Sequence, residues 1–356
     1  MLDRRTLLTA SAAGGALTVV GGGRADAALR VGRVVARDLV VPWGLAFLPG
    51  GDAIVGERMS GRVHRVSASG GRHQIGTIGA AVPGGEAGLL GIAVAPTFRN
   101  DRWVYFYVST AHDQRIIRRR YADGKLGRTH VLLSGIPRGD TSNHNGGGLG
   151  FGPDGLLYAS TGDARLDTPG QKSGSVAQDP DSLAGKILRL TPSGAVPDGN
   201  PWGNYAWSRG HRNVEGFTWD AHGRMWATEF GENTRDELNR IVRGGDYGWP
   251  AVEGGDGPGG FRDPFVTWHP TDICSPSGVA LAKGRAWVGA LQGECLYSVR
   301  LTGPHAGRKV RHLHGRFGRL RTVRKAPDGS LWVTTSNRDG RGSPAAPDDR
   351  VIRLLV

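Results

Sequence analysis

The chain contains 356 residues, which suffices for one large domain or two ordinary ones, and its formal net charge is +13. Its 59 glycines and 20 prolines indicate many turns, but there is no Gly-X-Y period and apolar segments recur, so collagen-like and disordered structures are excluded. The arginines are spread over predicted strands and loops without a motif that reads DNA or RNA, so no nucleic-acid partner is expected.

Residues 1–27 predict an export signal. Arg4 and Arg5 precede an apolar, alanine-rich run, and Ala25–Ala27 form a small-x-small cleavage site. The paired arginines resemble a twin-arginine signal; an ordinary secretory leader is the alternative. We expect the mature domain, residues 28–356, in the secreted, periplasmic or cell-wall space, where its charge favours association with the anionic cell wall. No later segment approaches about 18 consecutive apolar residues, so no membrane span is expected.

One sequence pattern recurs six times after the signal. Each copy has an apolar strand, a turn, a strand rich in Trp, Tyr or Val, and usually a short basic and apolar strand. The copies span residues 43–66, 88–122, 147–190, 214–242, 275–301 and 319–356. Strands at a period of several tens of residues predict an all-β fold, a six-bladed β-propeller. A pair of two-sheet sandwiches is the alternative, but it would not require six similar units.

The two ends of the mature chain predict how the ring closes. Residues 29–37 form one further strand pattern, and the sixth copy ends in a strand at the carboxyl terminus. Pairing of these N- and C-terminal strands in one blade would leave no open edge. Helical periodicity is nearly absent, and the one helix-like run, over residues 175–184, is weak.

The third copy contains a candidate catalytic pair. In the segment SNHNGGGLGFGPDGLLYASTGD (142–163), His144 precedes the first strand of a predicted hairpin and Asp163 follows the second. Both side chains would lie at the same end of the hairpin, where the carboxylate could orient the imidazole as a general base. A surface histidine and a turn aspartate are the alternative reading, but loops at one end of a propeller channel converge.

Three arginines are candidates for binding an anion at the same end. Arg212 and Asn213 precede the fourth copy at the position that His144 occupies before the third. Arg319 and Arg321 face one side of the strand that begins the sixth copy, and two adjacent guanidinium groups repel unless an anion lies between them. Arginines paired with acids at the surface are the alternative.

The segment GENTRDELNRIVRGGDYGWP (231–250) has the composition of a cation-binding loop. It contains Glu232, Asp236 and Glu237, and its turns leave backbone carbonyl groups available to a hard cation such as calcium. The spacing differs from that of an EF-hand loop, so the segment alone is a weak indication.

Cys274 and Cys295 are the only cysteines of the chain. They begin two strand patterns of the fifth copy, which could place them side by side. In an oxidising compartment such a pair predicts a disulfide, and two unpaired thiols are the alternative.

Together these segments resemble the soluble aldose sugar dehydrogenases that use pyrroloquinoline quinone (PQQ), the glucose/sorbosone dehydrogenase group. The resemblance covers about residues 36 to 356. It rests on GLLGIAVAPTF, on His144 before GGLGFGPDGLLYASTGD, and on GHRN, GE…DELN…GGDYGWP, SPSG and RLRTVRKAPDG in this order. It implies a six-bladed propeller that oxidises the anomeric carbon of an aldose to a lactone and passes the electrons to an acceptor other than oxygen.

The resemblance also implies roles for matching residues. His144 is the general base that takes the proton of the anomeric hydroxyl, Asp163 orients it, and the hydride passes to PQQ. Arg212 stabilises the charge that develops on the quinone oxygen, and Asn213 helps to hold the cofactor. The remaining cofactor ligands, which bind PQQ carboxylates, are Arg319 and Arg321.

Two calcium sites follow from the same resemblance. Backbone carbonyl groups of Gly231 and Glu232 would bind an ion that activates the quinone as a Lewis acid. Glu237 and Tyr247 match a second, structural site.

Two cofactor-facing positions depart from the family pattern. Gln292 stands where the family has a lysine that reaches the cofactor, and Glu86 stands where it often has glutamine. The first change removes a cation and the second adds an anion, so both are expected to weaken PQQ binding. Loss of one charge-assisted contact typically costs about 1.5–3 kcal/mol.

Two other functions fit a secreted propeller. One is a sugar- or cell-wall-binding protein without turnover, and the other is a calcium-dependent lactonase without quinone. Neither needs the anion pocket formed by Arg212, Arg319 and Arg321, whereas Gln292 and Glu86 argue against a tight quinone site.

Overall fold

The computed structural model describes residues 29–166, 174–257 and 259–356, so the predicted export signal lies outside the described residues. The described strands are β1 (Arg30–Ala36), β2 (Pro42–Phe47), β3 (Ala53–Glu57), β4 (Arg62–Val66), β5 (Arg72–Thr77), β6 (Leu89–Val94), β7 (Trp103–Ser109), β8 (Gln114–Ala122), β9 (Lys125–Leu126), β10 (His130–Ile136), β11 (Leu149–Phe151), β12 (Leu157–Ser160), β13 (Lys186–Leu190), β14 (Ala206–Arg209), β15 (Val214–Trp219), β16 (Met225–Glu229), β17 (Asp236–Ile241), β18 (Val266–Trp268), β19 (Pro276–Ala282), β20 (Arg285–Ala290), β21 (Cys295–Arg300), β22 (Lys309–His312), β23 (Leu320–Lys325), β24 (Leu331–Thr335) and β25 (Val351–Leu355).

Helical structure in the described part of the chain is limited to three short turns. They are the α-helical turn α1 (Phe98–Asp101) and the 3₁₀ turns Ser175–Ala177 and Thr271–Ile273. The weak helix-like run at 175–184 is therefore a single 3₁₀ turn. No described helix is long and apolar enough to span a membrane.

These strands form six antiparallel sheets, which confirms the predicted six-bladed propeller. The first five blades are β2–β5, β6–β10, β11–β14, β15–β18 and β19–β22, and the sixth combines β23–β25 with β1. The innermost strands β2, β6, β11, β15, β19 and β23 contact one another in succession around a central channel. The sequence pattern located the inner strands but missed most outermost ones, because strands such as β22 are largely exposed and lack a regular apolar face.

The chain ends close the ring as predicted. β1 pairs antiparallel with β25, from Arg30 opposite Leu355 to Ala36 opposite Val351. The first and last segments of the propeller therefore share one sheet, which joins the two chain ends and closes the ring.

Glycine allows the innermost strands to approach closely at the axis. A Cβ atom on Gly44 would lie 2.4 Å from the Leu90 carbonyl oxygen of the next blade. Gly278 has the same constraint, because its Cβ atom would lie 2.5 Å from the Val323 amide nitrogen. Some glycines thus serve the contact between neighbouring blades, whereas many others have the positive φ of turns.

Arg324 closes one end of the channel. Its guanidinium donates to the carbonyl oxygens of Leu45 at 3.3 Å, Phe217 at 3.3 Å and Leu149 at 3.4 Å, which belong to three other blades. Burial lowers the pKa of Arg324 to about 10. The loops that carry the predicted site lie at the opposite end of the channel.

The two cysteines are unpaired in this structure, which corrects the predicted disulfide. Cys274 and Cys295 are fully buried free thiols in one apolar cluster of the fifth blade. Burial raises the pKa of both thiols, that of Cys295 to about 12, and so suppresses the thiolate that disulfide exchange requires.

The buried thiols predict slow chemical modification. We expect little reaction of the native protein with a thiol reagent, and reaction of both Cys274 and Cys295 once the chain is unfolded without reductant. Thiol titration before and after denaturation measures this. Absence of reactive thiol in the unfolded, unreduced chain would instead establish the disulfide.

The closing blade predicts where stability is concentrated. Ile352, in β25, is 1% exposed, whereas Ile273 is 37% exposed. Ile352→Ala should lower the free energy of unfolding by about 2–5 kcal/mol, because it leaves a cavity in the closing sheet. Ile273→Ala is the matched control and should change it by about 0.5 kcal/mol or less. Equal effects in a denaturant titration would argue against a ring that depends on this closure.

Candidate active site

The predicted site residues gather at the end of the channel opposite Arg324, here called the channel mouth. In each blade the innermost strand starts at this end, and the loop between the second and third strands returns to it. The predicted residues carried by these loops and strand ends are Glu86, His144, Asp163, Arg212, Asn213, Gln292, Arg319 and Arg321. A cavity of about 670 Å³ lies at the opposite end of the channel, beside Trp219 and Arg324, and none of the predicted site residues lines it.

His144 and Asp163 form the predicted pair. Nδ1 of His144 lies 2.7 Å from Oδ1 of Asp163, and the two side chains are 9% and 2% exposed. An ionised Asp163 favours the tautomer with the proton on Nδ1, so that Nε2 is the acceptor. Nε2 has no hydrogen-bond partner among the described residues and is therefore available as a base.

Asp163 is itself held from two sides. Its Oδ2 accepts a hydrogen bond from Nε1 of Trp249 at 2.8 Å, and its Oδ1 accepts one from the Arg165 amide at 2.8 Å. Trp249 comes from the long loop after β17, and no sequence motif indicated its contact with Asp163. These donors fix the carboxylate, which in turn fixes the imidazole ring.

The backbone of His144 adopts the left-handed region, with φ 52°, which residues other than glycine rarely occupy. Its amide donates to Oε2 of Glu86 at 2.9 Å, and its carbonyl accepts from Ala164 at 3.2 Å. Oδ1 of Asn213 accepts from the Gly146 amide at 2.8 Å. Asn213, predicted to hold a cofactor, therefore also anchors the loop that carries the candidate base.

Arg212 is a buried cation without an ion-pair partner among the described residues. Its guanidinium carbon lies 5.3 Å from the centre of the Trp249 ring, and its Nε has no hydrogen-bond partner. Burial lowers the pKa of Arg212, with Asp163 and more distant acids opposing this effect. Such a group is suited to an anionic ligand.

Arg319 and Arg321 have an anion between them, but it belongs to the protein. Oδ2 of Asp339 accepts from Nε of Arg319 at 3.1 Å and from Nη2 of Arg321 at 3.4 Å. Nη1 of Arg321 also pairs with Glu215 at 2.7 Å. The terminal nitrogens of Arg319 make no hydrogen bond within the described structure, so this residue retains donors for a ligand.

Glu86 does not stand as an isolated anion at the channel mouth. Its Oε1 accepts from Nη1 of Arg341 at 3.0 Å. Burial alone would raise the pKa of Glu86, but Arg341 and His144 hold it below its usual value. The sequence pattern does not reveal this compensation of Glu86, because Arg341 lies 255 positions away.

Gln292 lies in the turn between β20 and β21 and is exposed. It makes no hydrogen bond with the described residues. The structure thus places it at the channel mouth, but without contacts that orient it toward the other site residues.

The Glu253 carboxylate holds the loop that begins at Gly231 by hydrogen bonds to its backbone amides. Oε1 of Glu253 accepts from the amides of the four residues 232–235, at distances between 2.8 and 3.2 Å. The carbonyl groups of Gly231 and Glu232 accept no hydrogen bond from described residues. Among those residues no group of three or more acidic, histidine or cysteine side chains has metal-binding geometry.

Three of the predicted metal residues line one small cavity. Gly231, Glu237 and Tyr247 surround a space of about 10 Å³, close to the room needed by one water molecule or ion, together with Glu229 and Glu253. Glu232 does not line it. The Tyr247 hydroxyl is already bonded to backbone groups, so only the carbonyl of Tyr247 remains for a metal.

The carboxyl group of Glu237, in this cavity, has a strongly raised pKa. Burial and then the negative charge of Glu229 raise the pKa of Glu237 to about 8. The two carboxylates share Nδ2 of Asn239, at 3.1 Å from Glu229 and 2.8 Å from Glu237. Glu237 also accepts from the Gly254 amide at 2.7 Å, and Arg212 lines the same cavity, so the two acids are held among donors and one cation.

The fold and the site are those of a β-propeller enzyme: a buried histidine–aspartate pair and several arginines lie at the channel mouth. A sequence model of the glucose/sorbosone dehydrogenase family matches residues 39–351. The chain belongs to this family and is an oxidoreductase.

Relatives of known name agree with this assignment. Aldose sugar dehydrogenase YliI of Escherichia coli is 28% identical over 86% of this chain and 90% of its own length. Quinoprotein glucose dehydrogenase B of Acinetobacter calcoaceticus is 32% identical over 62% of this chain and 52% of its own. The PQQ-bound aldose sugar dehydrogenase of Streptomyces coelicolor superimposes with a TM-score of 0.85 at 45% identity, covering 92% of this chain and 97% of that structure.

Proposed function

We propose that the protein is an exported aldose sugar dehydrogenase that uses PQQ and calcium and releases a lactone. The observation that carries this proposal is the His144–Asp163 pair, whose Nε2 is available beside buried guanidinium groups. The PQQ-bound relative from S. coelicolor supports the choice of cofactor.

His144 would accept the proton of the anomeric hydroxyl at Nε2. Asp163 stabilises the imidazolium that forms and keeps Nδ1 protonated. Removal of this proton allows the anomeric carbon to form the lactone carbonyl as its hydride departs. When bound, PQQ supplies the two-electron acceptor for that hydride, and calcium supplies Lewis-acid activation.

The arginines fit the anionic groups of PQQ. Arg319 retains its terminal N–H groups, and Arg212 is a buried cation with an unpartnered Nε. Arg212 would stabilise negative charge that develops on a quinone oxygen. A sugar-binding propeller or a lactonase has no need for an unpaired buried guanidinium, which is costly to maintain.

The carbonyl groups of Gly231 and Glu232 have no protein donors and are of the type that calcium prefers, so they would bind one ion. The small cavity has room for about one further ion, which the Glu237 carboxylate and the Tyr247 carbonyl would bind. A divalent cation would offset the burial and the repulsion from Glu229 that together raise the pKa of Glu237.

Export and surface association complete the proposal. The twin-arginine-type signal at residues 1–27 and the net charge of +13 favour a secreted, periplasmic or cell-wall location close to anionic polymers. A small-molecule sugar is the substrate, and an acceptor other than oxygen reoxidises the cofactor.

Removal of the candidate base should abolish turnover. After reconstitution with PQQ and calcium, His144→Ala should reduce an acceptor dye about 10²–10⁴ times more slowly than wild type with an aldose, because a positioned base contributes a factor of this size. His222→Ala, at the exposed opposite end, is the control and should leave the rate unchanged. Equal rates for His144→Ala and wild type, or no turnover by wild type, would refute the assignment.

Calcium should stabilise the protein in a pH-dependent way. Between about pH 4.5 and 8 the folded state keeps a proton on Glu237 that the unfolded state loses, so this group lowers stability as pH rises. Calcium replaces that proton, so its increase in melting temperature should be larger at pH 8 than at pH 6.

The matched variants for this measurement are Glu237→Gln, which should remove most of the calcium effect, and the control Glu294→Gln, which should retain it. A calcium effect that is independent of pH and of Glu237 would place the ion elsewhere.

A further inference from the structure

Arg58 is a buried cation at the channel mouth that no sequence motif indicated. It follows β3, in the loop between the second and third strands of the first blade, and is 2% exposed. Its amide donates to the Val41 carbonyl at 2.9 Å, and its carbonyl accepts from Leu89 at 3.1 Å. The backbone of Arg58 therefore joins the first blade to the second.

The side chain of Arg58 packs on the backbone of the next blade. A Cβ atom on Gly88 would lie 2.3 Å from the Arg58 carbonyl oxygen and 2.9 Å from its Cγ, and Gly88 has φ 139°. Only glycine fits here, so the Arg58 stem is held in place at the start of β6.

No described carboxylate pairs with Arg58. Its Nε has no hydrogen-bond partner, and its only side-chain hydrogen bond, from Nη2 to Sδ of Met59 at 3.7 Å, has a weak acceptor. Arg319, Arg321 and Arg341 differ, because each has a carboxylate within 3.4 Å.

The electrostatic surroundings place Arg58 among the site residues. Burial and then the charge of Arg321 lower the pKa of Arg58 to about 10, while Asp339, Glu215 and Glu86 oppose this shift. Those acids already serve other arginines, Asp339 and Glu215 with Arg321, and Glu86 with Arg341. Arg58 is thus a cation in excess of the local acids.

We propose that Arg58 binds a carboxylate of PQQ and supplies the positive charge that the glutamine at position 292 does not. A guanidinium presents paired N–H donors that match a carboxylate, and a buried setting strengthens the contact. This inference rests on the proposed PQQ site.

The test is equilibrium binding of PQQ to the mature protein with calcium, followed by quenching of tryptophan fluorescence. Arg58→Met keeps the apolar stem and removes the charge; it should raise Kd about tenfold to a hundredfold. Arg58→Lys keeps the charge and should recover part of the loss. Arg65→Met, in the exposed part of β4, is the control and should bind like wild type.

Melting temperatures separate ligand binding from a structural role. Without PQQ, Arg58→Met should melt at or above the wild-type temperature, because it removes an unpaired buried charge. With PQQ, its increase in melting temperature should be smaller than that of wild type. A lower melting temperature without PQQ, combined with unchanged PQQ affinity, would make Arg58 structural and overturn the proposal.

PQQ binding by wild type and by Arg58→Met also distinguishes failure of the proposed function from failure of the role proposed for Arg58. If wild type binds no PQQ, the proposed function itself fails. If wild type binds PQQ and Arg58→Met binds it equally well, only the role of Arg58 is overturned.

Discussion

The close approach of six innermost strands around one axis is the constraint on which this structure depends. Glycines such as Gly44 and Gly278 permit that approach, because a side chain at either position would collide with the backbone of the next blade. The tight ring brings loops from distant parts of the chain to one channel mouth. Arg324 binds carbonyl groups of three blades at the other end and helps to hold the same geometry.

The charged residues at the channel mouth form two groups. In the first group the charges pair with each other: Asp339 joins Arg319 to Arg321, and Glu86 joins Arg341 to the His144 loop. These pairs hold the site together without a ligand. The second group consists of two cations, Arg212 and Arg58, which have no carboxylate partner in the described structure. An anionic cofactor would complete this arrangement, and an enzyme that binds only neutral sugars would not require it.

The sequence predicted the fold because each blade repeats a local pattern. It also predicted the His144–Asp163 pair, since a hairpin places its two ends together. It could not predict that Glu86 pairs with Arg341, because that contact depends on ring closure between residues 255 positions apart. Arg58 lies directly after the second strand of its blade, and Asp163 lies three residues after the second strand of its own blade. Alignment of the residues that follow this strand in the six copies would have identified Arg58 as a candidate site residue.

A crystal structure of the mature protein with PQQ and calcium tests the central claim most directly. We expect the cofactor at the channel mouth, with carboxylates on Arg319 and Arg58, a quinone oxygen facing Arg212, and Nε2 of His144 open to a sugar. A cofactor bound in the cavity beside Arg324, or no cofactor in crystals of an active preparation, would contradict it.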